Sequence, residues 1–149
     1  VYHTPKHTAI ELIIGNTSHA LIDPKLRADN NQMLFRIKHN WWEKRILNHK
    51  KINTVEFNGN QLTNFENHKI MFIDSISIYN QSPMIVDYVV FSNTKKLELK
   101  KLTKNLKANT YIFDCSNKNW QNKYKKAECL ALGLNCYFVS DTNAFVAKL

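Results

Sequence analysis

Val86-Asp87-Tyr88-Val89-Val90-Phe91-Ser92 is an apolar run carrying one charged residue, the pattern of a strand buried on both faces. The segments downstream of this strand decide the fold class. Lys95 to Lys107 sets Leu97, Leu99, Leu102 and Leu106 among lysines and reads as a helix. Ala108 to Phe113 reads as a strand, and Asn117 to Leu132 as a helix that Gly133 stops. Asn135 to Val139 is a further strand and Asn143 to Leu149 a last one. Strand, helix, strand, helix, strand, strand predicts an α/β domain whose sheet contains parallel pairs.

Upstream, paired strands dominate. Thr8 to Ile14 and His19 to Asp23 flank the turn Gly15-Asn16 and predict a hairpin. Pro24 suits the first turn of a helix, and the apolar stripe Leu34, Ile37 and Trp41 extends that helix to about Leu47. Thr54 to Phe57 and Gln61 to Phe65 flank Asn58-Gly59-Asn60, a second hairpin turn. His68 to Asp74 is another strand, with Ile76 and Ile78 as its extension.

The chain has 149 residues and suits one domain, residues 1–149. A start at Val1 without Met reads as a piece cut or processed from a larger protein. No apolar run reaches the roughly 18–20 residues of a membrane span. The net charge of +9 attracts nucleic acid phosphates or anionic headgroups. Cys115, Cys129 and Cys136 are odd in number and irregularly spaced, which predicts no disulfide framework. Cys129 and Cys136 sit in apolar runs and read as small core residues.

Few residues suggest chemistry. His3 and His7 are four apart, but Pro5 between them argues against a shared helical face. His19, His39, His49 and His68 are isolated. Asp23, Asp74, Asp87 and Asp114 lie at strand ends, where sites collect in α/β folds and where carboxylates also cap turns and helices. Asp114-Cys115-Ser116-Asn117 ahead of a helix reads first as a capping cluster. Ser92 lacks a Gly-x-Ser-x-Gly elbow. With Gly15, Gly59 and Gly133 the only glycines, no phosphate-cradling loop is possible. Lysines are interleaved with aromatics at Lys118 to Lys126, with Trp120 and Tyr124, the combination that single-stranded nucleic acid binding uses. The competing reading turns Trp41 and Trp120 into the core and leaves the lysines as a solvated coat.

The ordered set Ala20-Leu21-Ile22-Asp23, Val86 to Asn93, Tyr111-Ile112-Phe113-Asp114-Cys115-Ser116-Asn117 with Trp120, and Asn143-Ala144-Phe145-Val146 resembles the C-terminal soluble region of ComEC-type competence proteins in their shorter, Bacteroidetes-like form. That region is similar to the metallo-β-lactamase fold. The resemblance covers nearly the whole chain and implies mixed β-sheets packed with helices in a truncated, degenerate sandwich of that type. An active member carries a His-x-His-x-Asp-His cluster after the Ile-Asp strand, where this chain runs Pro24-Lys25-Leu26-Arg27-Ala28-Asp29. A His-His-Gly-Ser segment is replaced by Ser92-Asn93-Thr94. Asp23, Ser92, Asn93 and Asp114 are then vestigial site positions, and one surviving carboxylate cannot hold two metal ions.

The resemblance implies a non-catalytic domain of a DNA-uptake channel, with no cofactor and no metal, on the extracytoplasmic side of the inner membrane. Its partners would be single-stranded DNA and the channel portion of the parent chain. Lys95, Lys96, Lys100, Lys101, Lys104, Lys118, Lys123, Lys125 and Lys126 are the expected DNA face. The alternatives are a metal-dependent nuclease that degrades one incoming strand, and a structural domain that packs on the channel without touching DNA.

Overall fold

A computed structural model describes residues 1–57, 59–74, 83–95 and 97–149. The proposed extension at Ile76 and Ile78 lies outside these residues, as do Asn58 and Lys96. Strands β1 (Ala9–Ile14) and β2 (Thr17–Ile22) form the predicted antiparallel hairpin. Gly15 takes a positive φ of 53° at the turn. β2 also pairs in parallel with β3 (Asn48–Lys51), giving a three-stranded mixed sheet in the order β1-β2-β3.

Among the described residues the second sheet has six strands in chain order: β4 (Val55–Phe57), β5 (Asn60–Phe65), β6 (His68–Ile73), β7 (Met84–Phe91), β8 (Leu106–Phe113) and β9 (Cys136–Phe138). β4, β5 and β6 are antiparallel neighbours, whereas β6, β7, β8 and β9 are parallel. Helices α4 (Leu99–Asn105) and α5 (Asn119–Ala131) connect the parallel strands. The expected mixed α/β architecture is thus what the chain adopts.

Three buried clusters order the layers. Leu26, Met33 and Ile37 pack on Ala9, which puts the helical segment 24–43 on the outer face of the small sheet. Ile10 and Leu12 meet Ile70, Phe72, Val90 and Ile112 between the two sheets. The other face of the large sheet presents Met71, Ile73, Val89, Phe91 and Phe113 to Leu99, Leu102 and Cys129 of α4 and α5. Along β6 and β8 these assignments alternate residue by residue, as the pleat requires. The order is helix, sheet, sheet, helix.

Several expectations change. The helix foreseen from Pro24 to Leu47 is three short helices and a π turn: α1 (Pro24–Ala28), α2 (Asn30–Met33), the π turn Leu34–Lys38, and α3 (His39–Glu43). Asp29 breaks it, because its backbone turns extended while its carboxylate accepts the Gln32 N–H at 3.0 Å and starts a new helix. Arg45, at a φ of 53°, ends it before β3. The helix foreseen over Lys95 to Lys107 is confined to α4, because Leu106 and Lys107 join β8 opposite Met84 and Ile85. Residues 143–149 form no strand; Phe145 exchanges two backbone hydrogen bonds with Val1 and no ladder extends from them.

Cys129 and Cys136 are not independent core thiols. They form a disulfide, with Cα atoms 6.3 Å apart. Gly133, at a φ of 64°, closes α5 with Leu134 N–H on the Cys129 carbonyl and its own N–H on the Leu130 carbonyl. That reversal brings β9 back against the last turn of α5 and sets the two sulfurs together.

Candidate functional site

The C-terminal ends of β7 and β8 converge on Asp114, which is fully buried. Its Oδ2 accepts from Thr8 Oγ1 at 2.6 Å and from Ser92 Oγ at 2.8 Å. Its Oδ1 accepts from the Ser116 N–H at 2.9 Å, from the Ser116 hydroxyl, and from Asn117 Nδ2 at 3.2 Å. Two carboxylate oxygens offer about four lone-pair sites, and these donors fill them. Burial pushes the Asp114 carboxyl above its ordinary value, against the pull of the hydrogen bonds from Ser116, Thr8 and Ser92.

Asn117 completes the lock. Its amide donates to the Phe91 carbonyl at 2.7 Å, and its Oδ1 accepts from the Thr94 N–H at 3.0 Å and the Thr94 hydroxyl at 2.8 Å. Asn93, in the left-handed region at a φ of 51°, donates its N–H to Ser116 Oγ at 2.7 Å. Asp114 therefore caps its own turn through Ser116; it does not cap α5, which begins after Lys118 without a side-chain cap.

Asp23 ends β2 and caps α1, accepting the Lys25 N–H at 2.8 Å. Its other oxygen lies 3.1 Å from His7 Nδ1. Burial pushes this carboxyl up, but the hydrogen bonds from His7 and the Lys25 N–H outweigh it and hold the group below its usual range. Ser92, Asn93 and Asp114 thus form one cluster, and Asp23 adjoins it through the neighbouring residues His7 and Thr8. Thr8 carries no sequence signal for this role, since its partner lies 106 residues away. His7 was legible only as one of a pair four residues apart.

These residues do not fit a two-metal centre. Asp114 has no lone pair to give, and Asp23 spends its oxygens on α1 and His7. Burial raises the pKa of the Cys115 thiol, which disfavours the thiolate that ligates metals. Among the described residues, no group of three or more His, Cys, Asp or Glu is placed to hold a metal ion.

The lysines lie along α4 and α5 and in the loops ahead of them, Lys95 next to Thr94 and Lys118 next to Asn117, and they divide into two sets. Lys101 pairs with Glu98 at 2.9 Å, Lys125 with Glu128 at 3.4 Å, and Lys126 with Asp141 while standing 5.5 Å above the Phe138 ring. Those three spend charge on their own chain. Lys95, Lys100, Lys104, Lys118 and Lys123 are exposed and in no ion pair among the described residues. Lys96 lies outside the described residues.

The tryptophans also divide. Trp41 is partly buried as expected, donating Nε1 to Glu11 and lying 4.0 Å from the His49 ring between centroids. Trp120 does not face the core: it is 62% exposed and Tyr124 is 70% exposed. The core side of α5 is held instead by Asn122, Cys129 and the disulfide, so no aromatic is needed there. Trp120, Lys123, Tyr124 and Ala127 follow a helical repeat and share the outward face. No helix among the described residues is long and apolar enough to cross a membrane.

A family model, the ComEC C-terminal domain, matches residues 1–149. No curated protein and no solved structure matches the chain.

Proposed function

The chain belongs to the ComEC C-terminal domain family, part of a competence DNA-uptake protein of the inner membrane, and from that premise we propose that it is a non-catalytic domain that holds incoming single-stranded DNA along α4 and α5. The observation that carries this reading is the outward Trp120 and Tyr124 beside unpaired lysines. Rings stack on bases, and lysines neutralise phosphates without reading sequence. The contact set is narrower than the lysine count suggests: among the described residues Lys95, Lys100, Lys104, Lys118 and Lys123 are in no ion pair and can meet phosphates, whereas Lys101, Lys125 and Lys126 are committed to carboxylates.

Loss of catalysis is supported by the saturated Asp114, whose acceptors are turned inward to tie strand ends together. The helix–sheet–sheet–helix layering supports a degenerate metallo-β-lactamase-like sandwich, with the tie in place of the metal site. The disulfide supports an extracytoplasmic location, since such bonds persist in oxidising compartments.

Retention of a single-stranded oligonucleotide in a mobility shift tests the reading. Affinity is expected to fall as salt rises, and Trp120→Ala to cost about 1–3 kcal/mol. Absent or salt-insensitive binding would refute it. Strand cleavage by the metal-loaded chain in Mn²⁺ would establish the nuclease instead.

A further inference from the structure

A second exposed surface lies on the other side of the sandwich. Residues 30–43 run without interruption through α2, the π turn and α3. Met33 and Ile37 face the small sheet. The outward side carries Phe35, 79% exposed, and Trp42, 64% exposed, with His39 between them at 6.5 Å from the Trp42 ring. Leu34 is exposed beside them. The spacing of 35, 39 and 42 places one row along the helical segment.

This row is flanked by positive charge. Arg36, Lys38, Lys44 and Arg45 surround it, and none pairs with a carboxylate among the described residues. Glu43 is the one acidic residue between positions 30 and 47. Apolar and aromatic side chains bordered by arginine and lysine are the composition of helices that lie in a bilayer interface. At 14 residues, the segment is too short to span, since a spanning helix needs about 20.

We infer that the face of residues 34–45 docks on an anionic phospholipid surface, with Phe35 and Trp42 entering the headgroup boundary and the flanking cations meeting lipid phosphates. Charge complementarity selects this occupant, and the aliphatic Leu34 favours it over nucleic acid, whose bases stack on rings. Docked this way, the domain lies with its small-sheet side on the membrane and α4 and α5 directed away from it, because the two helical layers cover opposite faces of the sandwich. The inference does not depend on DNA binding.

Sedimentation of the full chain with vesicles tests it. With phosphatidylglycerol vesicles the pelleted fraction is expected to exceed that with phosphatidylcholine by about fivefold or more at low salt. The double variant Phe35→Ala, Trp42→Ala removes only exposed side chains, and it is expected to weaken anionic-vesicle binding by about tenfold with an unchanged melting curve. The charge reversal Lys44→Glu, Arg45→Glu is expected to weaken it similarly, and Trp120→Ala to leave it within about twofold. No pelleting with anionic vesicles, equal pelleting with both lipids, or full binding by the double variant overturns the inference. So does a double variant that loses single-stranded DNA retention while keeping vesicle binding, which would make this face the nucleic acid site.

Discussion

Replacing Asp114 tests whether the strand ends are tied by this one carboxyl. Asp114→Ala removes the acceptor shared by Thr8, Ser92 and Ser116 and so unties the entry of β1, the exit of β7 and the turn after β8. Asn117 still has the Phe91 carbonyl, and the partly exposed Thr8 and Ser92 hydroxyls can turn to water. The Ser116 N–H and the three severed ties remain as the loss, about 3–4 kcal/mol in all. For a chain of this size, that lowers Tm by roughly 10 °C. Asp114→Asn separates hydrogen bonding from charge. Its carbonyl oxygen keeps Ser116, and its amide donates to the Thr8 and Ser92 hydroxyls, which can rotate to accept. It should stay within about 1 kcal/mol of the parent at pH 7. The folded protein holds the Asp114 proton more tightly than the unfolded chain, because burial raises the pKa. That contribution is complete below the ordinary value of about 3.9 and is lost as pH rises through the raised folded value. The parent's stability relative to the Asn variant, followed by urea midpoints between about pH 4 and 7, should therefore fall as pH rises. An Asn variant as damaged as Ala at every pH would refute the reasoning. So would a parent advantage that grows with pH, because the ionised form would then be the one the fold prefers.

Two local features give further outcomes. The Cys129–Cys136 bond closes a short loop of seven residues' separation, for which chain entropy gives about 2.5 kcal/mol. Reductant should lower Tm by roughly 5–10 °C, and alkylation without reductant should label Cys115 alone, and only after unfolding; an unchanged Tm would mean the bond adds nothing. Gly133→Ala meets no atom within 4 Å of the new Cβ, so its cost is the left-handed backbone alone, about 1–2 kcal/mol; a neutral result in chemical denaturation would mean the reversal after α5 adjusts freely.

The elements legible in the amino-acid order are those whose cause is local. The β1–β2 hairpin needs an alternating run and a turn that tolerates positive φ, and residues 8–22 contain both. β7 announces itself by an apolar run broken only by Asp87, β8 by the apolar close Tyr111-Ile112-Phe113, α5 by its stop at Gly133, and Asp23 by the proline it precedes. β3 was illegible because Asn48–Lys51 is polar and exposed throughout and becomes a strand only by hydrogen bonding to β2. Leu106 and Lys107 read as helix by spacing, yet the parallel ladder with β7 claims them. The candidate site divides in the same way. The amino-acid order by itself determined which residues stand at the ends of β2, β7 and β8, and that none of Asp23, Ser92 and Asp114 is a histidine. Only the tertiary structure decided that Thr8 closes on Asp114, that Cys129 meets Cys136, and that Trp120 looks outward while Trp41 turns in. Propensity and periodicity act over a few residues, whereas these pairings are set by how whole layers stack, which no short window of sequence contains.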